Sequence, residues 1–390
     1  TGAEVPTVRS CIAALLVLGG LALGRDAITL RLVATGALIV LFLWPESLVG
    51  PSFQMSFAAV TAIVALAEHP RFRAFAAARE ENWSWKLTRA LAVTLATGLV
   101  VELALMPIAL FHFHKAGLLG AFANLIAIPL TTFVVMPLEV LALLFDLIGL
   151  GAPFWWLTGH ALDLLLAVAH GVAASPFATV LAPAMRPGLF ALVIVGLLWC
   201  LLWRTRWRWL GLPPVLVGVA LVLVAAPPDL LVTGDGRHVA VRSGSGMAIL
   251  RDRAGDYVRD TLSESAGYEG DLSAIADLSM ARCSTDLCAL DMHDPAGRTW
   301  RLLLTRSDML IDRPAFAPAC ARADIVISDR RLPLWCRPRW LGIDRQLLAR
   351  TGGLSISLEE GEVHTVHRPG DAHPWIVKSR MRKRRPSRQL

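Results

Sequence analysis

Through the first 226 residues the apolar positions come in long runs, and beyond Pro227 they alternate with polar ones over short stretches. A continuous run suits lipid and an alternating one suits a half-buried strand, so the chain changes solvent near Pro227. The runs fall at residues 11–23, 27–44, 52–67, 90–111, 118–135, 136–150, 154–173, 189–203 and 210–226. Against the ~20 residues of a spanning helix they predict roughly six to nine membrane helices. Several are broken by Pro107, Pro129, Pro137, Pro153, Pro176, Pro183 and Pro187, which at membrane depth is tolerated only where protein or water satisfies the freed backbone. Downstream, LLVTGDG, HVAVRS, MAILR, TWRLLLTR, ADIVISD and LSISLEEGEVHTV read as strands. The expected fold is a polytopic α-helical membrane domain over residues 1–226 and a soluble α/β domain over 227–377. A disordered basic tail follows over 378–390.

Polar residues inside the apolar runs are not scattered. At ~100° per residue, Gln54, Ala58, Thr61, Ala65 and Glu68 share one stripe about 80° wide, and His160, Asp163, Ala167, His170 and Ala174 share another. A shorter stripe runs Thr94, Gly98, Glu102. An ionisable group at membrane depth costs ~2.5–3.5 kcal/mol or more unless it faces a partner or water, so Glu102, Asp163 and His170 are expected to point inward. Gln54, Thr61, Glu68, Glu102, His160, Asp163 and His170 are therefore the candidate lining of a polar conduit. Close helix packing uses the same residue types, and no single stripe decides between the two. Three together favour an interior with water in it.

Composition agrees with a membrane chain, since 55% hydrophobic and 18% charged residues leave too little polar surface for a soluble domain of this length. Basic residues near span ends stay in the cytoplasm, and they gather in two places: Arg71, Arg73, Arg79, Lys86 and Arg89, and Arg204, Arg206 and Arg208. If both lie on the cytoplasmic side, the last span delivers everything after Pro227 to the outside. Four of the six cysteines lie in that exterior part. An even number outside the cytosol favours two disulfides, and nearest pairing gives Cys283–Cys288 and Cys320–Cys336 among three connectivities. A zinc site is the rival, without the usual C-x2-C spacing. The opening TGAEVPTVRS has no initiator Met, basic n-region or cleavage site, and suggests the C-terminal part of something longer.

The stretch GPSFQMSFAAV, preceded by the Trp44-Pro-x-Ser-Leu48 turn, resembles the signature of ComEC-type competence proteins. The resemblance covers most of residues 1–226. It implies a multi-pass inner-membrane channel component that takes up single-stranded DNA in natural transformation, with its C-terminal domain in the periplasm. The implied partners are single-stranded DNA, the lipid bilayer, other DNA-uptake machinery and a second copy in a homodimer; no cofactor is implied. Many family members end in a metallo-β-lactamase-like domain, and LLVTGDGRHVAVRSG resembles its opening strands, where the family shows Asp-Val-Gly-Gln-Gly.

The hydrolase chemistry of that domain is missing from the pattern. A binuclear centre needs a His-x-His-x-Asp-His cluster, and His238, His293, His364, His367 and His373 have no such spacing. A degenerate domain without catalysis or metal is expected. Arg330 and Arg331 after a strand are candidates for phosphate, against a salt-bridged loop with Asp324 and Asp329. The string WCLLWRTRWRW is read as an interfacial anchor in preference to a base-stacking platform. Arg382, Lys383, Arg384 and Arg385 in the tail would contact DNA or anionic lipid through charge alone. Two other functions fit the same residues: a membrane-embedded hydrolase using Glu102, His160, Asp163 and His170, or a small-solute transporter with a periplasmic sensing domain.

Overall fold

The computed structural model describes residues 29–367 apart from 78, 204 and 245, together with Cys11, Leu15, Leu18, Ala22 and Gly370. The expected span at 11–23 thus falls largely outside the described residues, and the basic tail falls wholly outside them. The chain forms two compact units, Thr1–Ala225 and Ala226–Leu390.

In the first unit, helix α1 covers Leu30–Leu43 and a 3-10 turn, Pro45–Val49, leads into α2, Pro51–Glu68. Pro51 sits in the first turn of α2, where its missing N–H costs nothing. Then follow α3 (Pro70–Ala76), α4 (Trp83–Phe113), α5 (Gly120–Leu130), α6 (Met136–Asp146), α7 (Ala152–Ala173), α8 (Pro187–Leu202) and α9 (Leu212–Val224). Among the described residues, five helical runs are long and apolar enough to cross a membrane: Pro51–Glu68, Trp83–Phe113, Gly120–Asp146, Ala152–Ala173 and Arg206–Val224. α1 and α8 are apolar but shorter.

Two expectations need correcting here. The runs at 118–135 and 136–150 are not separate spans: α5 and α6 are joined by a π turn, Thr131–Val135, into one run. Pro129 and Pro137 lack the N–H an α-helix would use, and the wider turn between them absorbs the mismatch without a break. The basic segment at 71–89 is also not simply a loop. Arg71 and Arg73 lie on α3, while Lys86 and Arg89 lie on the first turns of α4, where Arg89 Nη1 pairs with Glu81 Oε2 at 2.7 Å.

α8 packs closely against the 3-10 turn Arg206–Gly211 that leads into α9, because glycine faces glycine: a Cβ on Gly196 would lie 2.7 Å from the Gly211 carbonyl oxygen. Small residues let membrane helices approach where packing alone drives contact. At the other end of the spans, strands β1 (Lys115–Gly117) and β2 (Thr179–Leu181) pair antiparallel, tying the end of α4 to the chain after α7.

The second unit has four layers. A six-stranded sheet runs β13-β12-β3-β4-β5-β6, from Glu362–Thr365, Leu354–Ser357, Leu230–Val232, Val239–Ser243, Gly246–Ile249 and Ser273–Ala274. A five-stranded sheet runs β11-β10-β9-β8-β7, from Leu341–Ile343, Ile325–Ile327, Thr299–Thr305, Leu287–His293 and Ala281–Cys283. The main core lies between them, where Leu230, Val239 and Val241 of one sheet meet Leu290, Leu302 and Ile325 of the other. α10 (Asp256–Ser265) covers the outer face of the six-stranded sheet through Leu262 against Ala240, Met247 and Ile249. α11 (Arg313–Arg322) covers part of the other outer face, with Phe316 and Cys320 against Leu303 and Val326.

Each expected strand overlaps at least one of these strands, but β6, β7, β8 and β11 lie outside the expected set. β8 is readable in the sequence: in LCALDMH the buried Cys288, Leu290 and Met292 alternate with Ala289, Asp291 and His293. That is the period of a strand with one face in the core.

Candidate functional site

Gln54 belongs to a tie between helices. Its Nε2 donates to the Leu48 carbonyl at 2.9 Å, and its Oε1 lies 2.9 Å from His112 Nε2 on α4. One amide therefore locks the turn before α2 and joins α2 to α4, which leucine would not do. Thr61 further along is 9% exposed, and Glu68 Oε1 accepts from the Leu30 N–H at 3.3 Å. The first stripe is thus held largely by packing. It still borders space: Gln54, Ala58 and Thr61 line a mainly apolar cavity of about 290 Å³ with Phe53, Ile108 and Leu197.

Thr94, Gly98 and Glu102 together line a larger cavity of about 580 Å³, which also meets Thr97 and Asn124. Within it Glu102 does a specific job. Its Oε1 accepts from the Gly120 N–H at 2.9 Å and its Oε2 from the Ala121 N–H at 3.0 Å. These are first-turn donors of α5, which have no partner inside their own helix. A carboxylate there also meets the positive end of the helix dipole, so a charge at membrane depth is compensated by backbone. Gly98 permits the arrangement, since a Cβ on it would lie 3.1 Å from that of Ala121.

The third stripe contradicts expectation. α7 packs through Thr158 and Ala161, its buried positions, whereas His160, Asp163 and His170 are exposed and turned from the rest of the described chain. The reason is steric. Small side chains allow close approach, and the stripe of longer polar ones lies across the helix from Ala161. Asp163 makes no hydrogen bond or ion pair with a described residue. His160 Nδ1 lies 3.1 Å from the Trp156 carbonyl and its ring 4.2 Å from the Trp156 ring, so it is held by its own helix.

In the second unit Cys283 is joined to Cys288 across the β7–β8 pair, and Cys320 on α11 to Cys336. Cys11 and Cys200 are free thiols. Opening the second bridge releases a loop of 16 residues, worth about 3 kcal/mol of unfolding free energy in the chain-entropy account. Cys320→Ser should therefore lower the melting temperature of the purified chain. Thiol labelling without reductant should reach only Cys11 and Cys200; modification of Cys320 in that sample would contradict the pairing.

Arg330 does not reach outward for phosphate: its Nη1 and Nη2 donate to the carbonyls of Asp308, Ser307 and Met309 at 2.8, 3.1 and 2.6 Å. Asp329 beside it is bridged by Arg251 Nη2 at 3.2 Å, the salt-bridged alternative. His238, in the turn after β3, has its pKa lowered mainly by burial; Asp235 opposes the shift, while Arg251 and Arg237 add to it. His364 Nε2 pairs with Glu362 Oε2 at 3.2 Å. Among the described residues no three of His, Cys, Asp and Glu converge as a metal would require. The candidate contacts Arg382, Lys383, Arg384 and Arg385 lie outside the described residues. Trp207 and Trp209 are exposed beside Arg206 and Arg208 at the start of the last span, with Trp199 and Trp203 stacked at 5.0 Å, the layout of an interfacial anchor.

No curated protein and no solved structure matches the chain. The family described as "Competence protein" matches residues 1–207, which is the membrane unit up to the start of its last span and more than half of the 390 residues. This membrane protein therefore belongs to the competence protein family, whose members are tied to DNA uptake for transformation.

Proposed function

We propose that the chain is a ComEC-type channel component, passing single-stranded DNA across the inner membrane during transformation. The family match over residues 1–207 carries this reading. The α7 stripe supports it. A carboxylate and two imidazoles turned outward at membrane depth require water or a polar partner, and the wall of a hydrated path supplies the first. The cavity beside Glu102 adds further space within the membrane unit, mainly apolar but bordered by Thr94, Thr97, Glu102 and Asn124.

The order of the spans supports the proposed orientation. Starting at the basic first turns of α4, crossings through α4, α5–α6 and α7, with the shorter apolar α8 taken as a fourth, return the chain to the same side at Arg206 and Arg208. Pairing of β1 with β2 agrees, because it keeps the ends of α4 and α7 together. With the basic side in the cytoplasm, α9 carries the second unit to the periplasm, where paired cysteines persist. The four-layered unit is read as metallo-β-lactamase-like, since helices outside two facing sheets suit that architecture. Among the described residues no ligand set converges, which favours a binding role over nuclease activity.

Deleting the gene should abolish transformation while labelled DNA still accumulates outside the cell in a nuclease-accessible form. Retained transformation would end the channel reading. The purified chain with Mn²⁺ or Zn²⁺ should leave single-stranded DNA intact. Metal-dependent degradation at substoichiometric protein would make the second unit an enzyme.

A further inference from the structure

α11 covers only part of the five-stranded sheet. Over β9 and β10, Leu303 and Val326 are packed beneath Phe316 and Cys320 and Leu287 at the start of β8 packs with them, but over β7 and the rest of β8 the same outer face lies open. There a groove of about 380 Å³ is floored by Ala289 and Leu303 and rimmed by Arg282 of β7, Arg301 of β9 and Arg322 of α11, with Asp291 of β8 between them. The register explains the gathering. Ala289 sits opposite Arg282 on one side and Leu303 on the other, and Asp291 sits opposite Arg301, so these residues share one face of three adjacent strands.

An exposed sheet face is ordinarily filled by long side chains lying across one another; here the central position is Ala289, and the face is concave. The cations around it are uncommitted. The Arg282 and Arg301 guanidiniums make no hydrogen bond or ion pair with a described residue, and Arg322 spends one donor, Nε to the Pro318 carbonyl at 3.2 Å. Three cations against one carboxylate leave a net positive groove. Both disulfides flank it: Cys283–Cys288 adjoins Arg282 and Ala289, and Cys320 lies two residues before Arg322. The two walls carrying the arginines are thus covalently pinned.

We propose that this groove binds backbone phosphates of single-stranded DNA. The choice of ligand rests on the DNA-uptake reading above; the geometry itself asks for an oxyanion. Guanidinium meets phosphate through two parallel hydrogen bonds, and three of them spread over a shallow groove suit successive phosphates of a flexible strand. Contact to backbone carries no sequence information, which suits uptake of any sequence. Asp291 offsets one charge, so the strand is held loosely enough to move on.

The test uses the full chain in nanodiscs of neutral lipid and a fluorescent oligothymidylate, followed by anisotropy across a salt series. The triple variant Arg282→Gln, Arg301→Gln, Arg322→Gln is compared with an equal-charge control, Arg237→Gln, Arg253→Gln, Arg345→Gln, at exposed positions off the groove. Both keep the tail, so its contribution cancels. The groove variant should bind about tenfold more weakly at low salt, and its log–log salt slope should flatten by about 2, each lost single-strand contact removing about 0.7. Asp291→Asn should tighten binding, a gain that a misfolded variant would not show. Equal losses in both triples, or no loss in the groove variant, would overturn the site while leaving the channel reading intact. Loss of binding to anionic vesicles with unchanged oligonucleotide binding would assign the groove to lipid and overturn it equally. Absence of oligonucleotide binding by the unaltered chain, with transformation unaffected by gene deletion, would instead remove the reading on which the ligand rests.

Discussion

Glu102→Leu should destabilise the membrane unit by roughly 3 kcal/mol or more, because two hydrogen bonds to a charged acceptor are lost together. The Gly120 and Ala121 N–H groups then have no acceptor at a depth where water is scarce. The expected signs are a lower melting temperature in detergent, faster proteolysis between α4 and α5, and loss of transformation as a consequence. Glu102→Gln keeps one acceptor oxygen without the charge and should fall about midway. An unchanged melting temperature in the leucine variant would mean that the α5 terminus finds its partners elsewhere, and Glu102 would return to the list of conduit residues.

Asp163→Leu should do the reverse, abolishing uptake at unchanged stability. The Asp163 side chain is exposed and unbonded to described residues, so the fold loses no contact with it, and leucine suits lipid better. What disappears is a hydrated charge on the wall of the proposed path. Transformation should drop to the level of the deletion strain with chain abundance and melting temperature retained. His170→Leu, two turns along the same stripe, should act in the same direction. Normal transformation in both would take the α7 stripe out of the conduit and leave it as a surface for a polar neighbour. The Glu102 and Asp163 variants are best measured side by side: one loses function through stability, the other without it.

The sequence determined the class of this protein and much of its order. Long apolar runs against short alternating ones located the change from membrane helices to sheets, because those periods follow directly from lipid and from a one-sided core. The motif around Gln54 was enough for the resemblance to competence proteins. Wheel geometry also grouped the polar residues of each helix into stripes. Which way each stripe faces was decided only by tertiary structure. A wheel gives the angle between Asp163 and Ala161 but not which of them is buried, and Ala161 with Thr158 took that place on α7. Glu102 shows the same limit more sharply. Its partners are the N–H groups of Gly120 and Ala121, 18 and 19 residues away on another helix, and no periodicity within α4 encodes them. The arginine groove lay beyond sequence reading altogether: Arg282, Arg301 and Arg322 are far apart in the chain, and only the register of β7, β8 and β9, with α11 leaving Ala289 uncovered, brings them to one face. Local pattern follows from the chemistry of neighbouring residues, whereas a site assembled from distant ones depends on the packing that closes the chain on itself.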